Sequence, residues 1–219
     1  MWEDRGTYYL STAPQRSEEW LEQRKDKLTA SNFGYAVRDS KFKTVYELAL
    51  DISGIKKTEF SESSIIAMNH GTVFEPIARE WYEKQYGVKV EELGLAVPKW
   101  NSRIGGSVDG DVLNTDGIIE IKCPKIMYGP LLNKIKKSQE NTNSLVPSHI
   151  WYSHYCQMQG CMAILGKKWC DYIVYATESQ NIYVERIQFN QYFWDNELYP
   201  AINNFLDNIL QPLIDMRDK

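Results

Sequence analysis

Asp109, Glu120 and Lys122 are the residues of this chain whose types and spacing best suit chemistry. They fall in the stretch 105–125, GGSVDGDVLNTDGIIEIKCPK. The alternation of Ile and charged residues at 119–122 reads as a strand, and a strand points Glu120 and Lys122 to one face. Gly110 follows Asp109 where a chain is expected to leave a strand. A hairpin loop centred on Asn114 and Thr115 sets Asp109 opposite Glu120, whereas a tight turn at Asp116 and Gly117 pairs Glu120 with Leu113. In the first register two like charges face each other, which is destabilising unless solvent or a cation separates them. Hard oxygen ligands with room for water suit Mg²⁺, with Mn²⁺ as a substitute. A lysine beside such an ion can stabilise charge on a phosphate or orient a water. The same alternation also describes a half-solvated antiparallel strand with no catalytic role.

Three other groups could join that site. Glu75 lies on a helix that precedes the strands, at the edge of its apolar stripe; it reads equally as a solvated acid favoured by the helix dipole. Gln157 lies on a helix that follows them and could hold a water or the lysine, or serve as a partly buried polar residue. Trp20 to Arg24, followed by Thr29 and Ser31, offers hydroxyls, an arginine and a helix start, the parts of a phosphate cradle or of an ordinary helix cap.

Elements that would position these residues can be placed from pattern. Ser17 caps a helix over 18–25 with acids in its first turn, and a short helix begins near Thr29 to Ser31. Thr44 caps a helix over 45–52 that Gly54 ends. A longer helix over 71–86 carries the stripe Phe74, Ile77, Ala78, Trp81 and Tyr82 and stops at Gly87. Strands are expected at 89–97, 104–109 and 118–122, then a Pro-, Asn- and Lys-bearing excursion over 124–148 with one helical turn. A helix over 150–165, strands at 171–176 and 182–187 and a final helix over 190–210 complete an α/β order. The expected architecture is a central mixed sheet flanked by helices. The chain is expected to form a single domain over 1–219, with a core at about 17–187.

Composition excludes several classes. With 43% apolar and 25% charged residues the chain is an ordinary globular protein, and no apolar run approaches a membrane span. The N-terminus lacks the basic and apolar regions of a signal peptide. Four cysteines without a C-x-x-C pair point to a reduced, intracellular setting, cytoplasmic or nuclear. His149, His154, Cys156 and Cys161 do not share a helix face, so zinc is not expected. A net charge of −4 does not advertise nucleic acid, but phosphate binding needs only local positive potential. Lys125, Lys134, Lys136 and Lys137 form one basic group and Arg24, Lys25 and Lys27 another; either reads as a DNA footprint or a solvated face.

The order of these pieces resembles the lambda-exonuclease or YqaJ-type viral recombinase family of the PD-(D/E)XK nuclease superfamily. The residues that carry it are EWLEQRKDKLTAS at 19–31, GTVFEPIA at 71–78, GGSVDGDV at 105–112, GIIEIKCP at 117–124 and HYCQMQG at 154–160. Val108 stands where the superfamily name has proline. Residues 1–16, the Lys-rich loop and the C-terminal helix lie outside the likeness. The resemblance implies the PD-(D/E)XK fold and a Mg²⁺-dependent exonuclease that digests duplex DNA ends from the 5′ strand and exposes 3′ single strands for recombination. It implies catalytic roles for Glu75, Asp109, Glu120, Lys122 and Gln157, with Gln159 close enough to confuse the last match. It implies metal ligation by Asp109, Glu120, the Ile121 carbonyl and Glu75, and a 5′-phosphate pocket at Arg24, Ser31 and Ser107. The iron–sulfur variant of the superfamily is not expected, since Cys123 sits inside the motif and no cysteine precedes it. The partners it admits are DNA ends, a single-strand annealing protein and further copies of the chain, with no membrane. The rival readings are a structure- or sequence-specific endonuclease of the same fold and a non-cleaving DNA-binding recombination adaptor.

Overall fold

The computed structural model describes residues 1–57, 59–136 and 145–219, with the backbone alone at 135 and 136. Lys137 and the middle of the 124–148 excursion lie outside the described residues. In chain order the strands are β1 (Trp2–Asp4), β2 (Tyr8–Ser11), β3 (Leu28–Thr29), β4 (Val90–Glu91), β5 (Ala96–Pro98), β6 (Ile104–Gly105), β7 (Gly110–Val112), β8 (Gly117–Lys122), β9 (Trp169–Ala176) and β10 (Asn181–Gln188). The helices are α1 (Glu18–Gln23), α2 (Phe33–Val37), α3 (Val45–Ile52), α4 (Glu62–Tyr86), α5 (Gly129–Lys136) and α6 (Tyr152–Leu165). A helical run over 191–217, with π-helical turns at Trp194–Leu198 and Leu206–Leu210, closes the chain.

The central sheet has the order β10-β9-β8-β7-β4. Its strands are antiparallel except β8 and β9, which run parallel, with Glu120 beside Tyr172 and Lys122 beside Val174. A parallel pair needs a long crossover, and the excursion, α5 and α6 supply it.

β8 is covered on both faces. Ile118 packs in the core that includes Met158, Cys161 and Met162 of α6, while Ile119 and Ile121 pack with Ala78 and Tyr82 of α4. The half-solvated reading of this strand is therefore overturned: both of its faces are interior, and Glu120 is 2% exposed. α6 can lie that deep because glycines let it approach α2: a Cβ on Gly160 would stand 2.3 Å from the Phe33 ring, and one on Gly34 2.7 Å from Ser153 Cα. Its end is set by Gly166 at φ +68.

Several expected boundaries move. α4 begins at Glu62, capped by Ser61, nine residues before the expected start at Gly71. Its stripe is also rotated: Glu75, Ala78 and Tyr82 are buried, and Ile77 is 48% exposed. The strand expected at 89–97 is two strands in different sheets, since β5 pairs with β2 and β4 with β7. The strand expected at 104–109 ends at Gly105, and Gly110 opens a strand instead of closing one. A Cβ on Gly110 would stand 2.1 Å from Val90 Cγ1, so its lack of a side chain lets β4 close on β7. The single turn expected in the excursion is the eight-residue α5. The β1-β2-β5 sheet, which the sequence did not suggest, caps a small core of Ala13, Trp20, Leu95 and Val97. The four cysteines are unpaired. No helix among the described residues is long and apolar enough to cross a membrane.

Candidate active site

The β7–β8 hairpin pairs Gly110 with Ile119, Asp111 with Ile118 and Val112 with Gly117. Its loop turns at Asn114, at φ +62, and the Thr115 hydroxyl donates to the Val112 carbonyl (2.7 Å) while accepting from Gly117 N (3.1 Å). The loop centred on Asn114 and Thr115 is thus the one adopted. One step beyond the last ladder pair, this register brings Asp109 opposite Glu120. Asp109 Oδ2 accepts from the Ile121 amide at 2.7 Å, which ties the acid to the β8 edge. In an extended strand the N–H and C=O of one residue point to the same side, so the Ile121 carbonyl faces that edge too.

Glu120 and Lys122 project toward α6, as their spacing required. Lys122 Nζ donates to Glu120 Oε1 at 2.6 Å and to Gln157 Oε1 at 3.2 Å. Gln159 is occupied elsewhere: it bonds the Gln188 carbonyl and the Asn190 amide, which ties α6 to the chain after β10. Gln157, two residues earlier, is the amide that reaches the lysine.

Glu75 comes from α4, on the other side of the sheet. Its Oε2 accepts from Arg16 at 2.6 Å and its Oε1 from Arg79 at 2.8 Å, and Arg79 also bridges to Glu92 at 2.9 Å. Arg79 is one helical turn from Glu75, a pairing that i, i+4 spacing could have revealed. Arg16 carried no such local signal. It holds φ +69, a conformation uncommon for a non-glycine residue.

The three acids share one electrostatic neighbourhood. Burial, then the charges of Asp109 and Glu75, pushes Glu120 up to about 8, with Lys122 pulling the other way. Burial and Asp109 push Glu75 up to about 6 against its two arginines. Burial likewise raises Asp109. Burial works against the Lys122 ammonium, but Glu120 and Asp109 outweigh it and hold the lysine as a cation. Among the described residues no three His, Cys, Asp or Glu side chains are grouped closely enough to hold an ion by themselves. The donors that fit a hard dication are Asp109, Glu120 and the Ile121 carbonyl, all oxygen, with the two acids held in an environment that disfavours their charge.

A second polar cluster lies where α1 meets β3. Arg24 stacks on Trp20 with its guanidinium carbon 4.0 Å from the ring centroid, and Nη2 donates to the Thr29 hydroxyl at 3.2 Å. Thr29 Oγ1 lies 3.3 Å from Ser31 Oγ, and Trp20 Nε1 donates to Ser107 Oγ at 3.0 Å. Arg24, Ser31 and Ser107 are thus linked through Thr29 and Trp20. Burial alone draws Arg24 down to about 10, and among the described residues no carboxylate pairs with it. Of the basic groups, Lys25 is paired with Glu22, and Lys134 bonds Glu185 at 2.7 Å and His149 at 2.8 Å, so Lys134 is engaged within the fold.

A family model described as the YqaJ-like viral recombinase domain matches residues 19–168. An uncharacterized protein of Acanthamoeba polyphaga mimivirus is 26% identical over 164 residues, which is 73% of this chain and 28% of that protein. The chain therefore spans little more than a quarter of that curated relative. The crystal structure of the alkaline exonuclease LHK-Exo from Laribacter hongkongensis is similar at a TM-score of 0.70 and 26% identity, over 92% of this chain and 97% of that one. LHK-Exo in complex with dAMP gives 0.72 at the same identity and coverage. A phage-related exonuclease from Haemophilus somnus shares the fold at a TM-score of 0.59 and 16% identity, over 88% of this chain and 95% of that one. The central mixed sheet flanked by helices is that of the PD-(D/E)XK nucleases, as expected from the sequence.

Proposed function

Since the chain belongs to the family of YqaJ-like viral recombinase domains, we propose that it is a Mg²⁺-dependent deoxyribonuclease that digests duplex DNA from an end. Residues 1–219 act as one nuclease domain. The observation that carries this reading is the pairing of Asp109 with Glu120 across the hairpin, with Lys122 held between Glu120 and Gln157. Asp109, Glu120 and the Ile121 carbonyl hold the ion, for which Mn²⁺ can substitute. Bound there, Mg²⁺ supplies a Lewis acid for the scissile phosphate and lowers the pKa of the attacking water. Glu75, whose two oxygens are engaged by Arg16 and Arg79, would add a further carboxylate to the ion's surroundings. Lys122, kept cationic by its acid neighbours, stabilises the charge that develops on the phosphate, and Gln157 fixes its direction. In-line attack leaves the 5′-phosphate on the released nucleotide, and the dAMP complex of LHK-Exo is in keeping with such a product.

Arg24, with Ser31 and Ser107, receives a terminal 5′-phosphate. A half-buried guanidinium without a carboxylate partner favours a dianion, and the hydroxyls of Thr29 and Ser31 complete its contacts. Digestion then proceeds from the 5′ strand and leaves a 3′ single strand, the substrate of an annealing protein.

The test is digestion of linear duplexes labelled at the 5′ or the 3′ end, and of closed circles, with and without Mg²⁺. Mg²⁺-dependent release of 5′ label as mononucleotide, with circles intact, is the expected result. Cutting of closed circles would move the reading to an endonuclease, and binding without cleavage in Mg²⁺ or Mn²⁺ to a non-cleaving adaptor. Ends bearing a 5′-phosphate should be preferred over 5′-hydroxyl ends by at least about tenfold, since one charge-assisted contact contributes about 1.5–3 kcal/mol. Arg24→Ala should erase most of that preference; an equal preference in both proteins would remove Arg24 from the pocket.

A further inference from the structure

The start of α6 runs outward from the candidate active site. Gln157 touches Lys122 at 3.2 Å; His154 lies three residues earlier on the helix, and Trp151 stands at its N-cap. Tyr128, on the chain that leaves β8 for α5, closes against them. Its ring centroid is 4.5 Å from that of Trp151 at an interplanar angle of 32°, and 5.9 Å from that of His154. Trp151 and His154 are 5.3 Å apart, and the His154 ring is fixed from below by Tyr172 Oη at 2.8 Å. Aromatic packing of this kind is ordinary in a core, yet Trp151 is 41% exposed. It also occupies the N-cap of α6, where no side chain accepts from the first-turn amides. Ser, Thr, Asp or Asn would serve the helix better at that position. The residue is therefore poorly explained by packing or by capping.

We propose that Trp151, backed by Tyr128 and His154, is a stacking platform for an unpaired nucleobase of the strand that enters the active site. Every base has a π face, so a tryptophan steadied from behind by two rings accepts any of the four. The neighbouring rings carry no charge that would bar a base: burial and the Lys122 charge hold His154 neutral. A base held there sits at the start of the helix that directs Lys122 through Gln157, so stacking would set how far the strand is drawn into the site. The inference rests on the nuclease reading above.

The test has two arms. In the first, wild-type protein is offered Mg²⁺ and labelled duplex; absence of both binding and digestion would overturn the nuclease reading and this inference with it. In the second, Asp109→Asn protein, which should not cleave, is mixed with duplexes carrying 2-aminopurine as an unpaired 5′-terminal nucleotide, where the free fluorophore is bright. Quenching of that fluorophore reports stacking directly. Trp151→Ala should remove the quench and weaken binding at least about fivefold, the lower range for loss of one base–aromatic stack. Trp151→Phe should retain most of both. Trp151→Leu fills similar space without a π face and should behave like Trp151→Ala. Equal quenching in the Phe and Leu variants, with digestion by the wild type intact, would show that Trp151 only packs and would overturn this inference alone.

Discussion

Two carboxylates that face each other inside a fold destabilise it until something positive joins them, and Asp109 and Glu120 are in that position. Lys122 bonds Glu120 and offsets part of the repulsion on both acids, and Asp109 also accepts from the Ile121 amide, yet burial still raises it. Asp109→Asn should therefore abolish turnover, because an amide is a poor ligand for a hard dication. The fold should survive it. In metal-free buffer its Tm should equal or exceed that of the wild type, as read by circular dichroism; a well-folded variant that still digests DNA near the wild-type rate would disprove the assignment. Lys122→Ala should lower turnover at saturating DNA by about two to four orders of magnitude, the size expected for one positioned group. DNA affinity should change far less, because it comes from many dispersed phosphate contacts. The shared face of Glu120 and Lys122 was legible in the sequence because strand alternation is a local property, whereas two turns of equal merit compete for the register that sets Asp109 opposite Glu120. The arginines on Glu75 divide by the same rule. Arg79 is a helical neighbour of Glu75, but Arg16 meets it only through the tertiary fold, and no spacing announces that.

At the scale of elements, the site depends on where β8 starts. Gly117 opens the strand directly against Trp169 of β9, and a Cβ there would stand 2.1 Å from the indole ring. That ring cannot retreat freely, since Arg186 lies over it at 3.6 Å and is held in turn by Asp171. Gly117→Ala should cost about 1–3 kcal/mol in urea denaturation, the usual effect of overpacking. Turnover should fall with it, because any shift at the head of β8 displaces Glu120. Gly71→Ala is the control: it lies inside α4 with open space at its Cβ and should stabilise by about 0.5–1 kcal/mol. Strong local codes gave good boundaries, as at Thr44, whose capping box with Glu47 starts α3 at the expected residue. The early start of α4 was hidden because residues 62–70 show no clear apolar stripe, although Ser61 is a valid cap. The short strands β3, β4, β6 and β7 were blurred or missed because two or three residues cannot display a period; their pairing is set by partners distant in sequence.

Above about pH 6.5 the whole molecule should respond to pH through this site. An acid whose pKa is raised by folding is protonated more readily in the native than in the unfolded chain, so native protein binds more protons between the two values. For Glu120 the interval runs from an ordinary 4.5 to about 8, and for Glu75 from 4.5 to about 6. These acids therefore withdraw stability from the metal-free protein as pH rises across that window, while His154, which burial and Lys122 hold neutral, acts the other way below its ordinary 6.5. Glu185 acts in the opposite sense and in another range. His149, Lys134 and Tyr183 overcome its burial and hold it down to about 2, so its contribution is complete above its ordinary pKa and lost only in stronger acid. Calorimetry in EDTA should show the Tm decline from about pH 6.5 to 8, where Glu120 acts and His154 no longer opposes it, less steeply in Asp109→Asn. Added Mg²⁺ at pH 8 should restore wild-type stability by about 2.7 kcal/mol at a hundredfold excess over Kd, with little effect on Asp109→Asn. A Tm indifferent to Mg²⁺ in the wild type would argue against ion binding at these acids.

The parallel pairing of β8 with β9 also bears on the order in which the chain assembles. The β7–β8 hairpin closes a short loop, whereas the β8–β9 ladder waits for the excursion, α5 and α6 to be threaded between its strands. Local pairings form early and long-range ones late. During folding, then, Asp109 and Glu120 meet before α6 arrives with Gln157 to steady Lys122. In the open hairpin both acids are still solvated, and the cost of their charges arises only when α6 and β9 close over β8 and bury them. A dication or a mildly acidic medium would ease that closure, so the ion proposed for turnover would also speed the last step of the protein's own refolding.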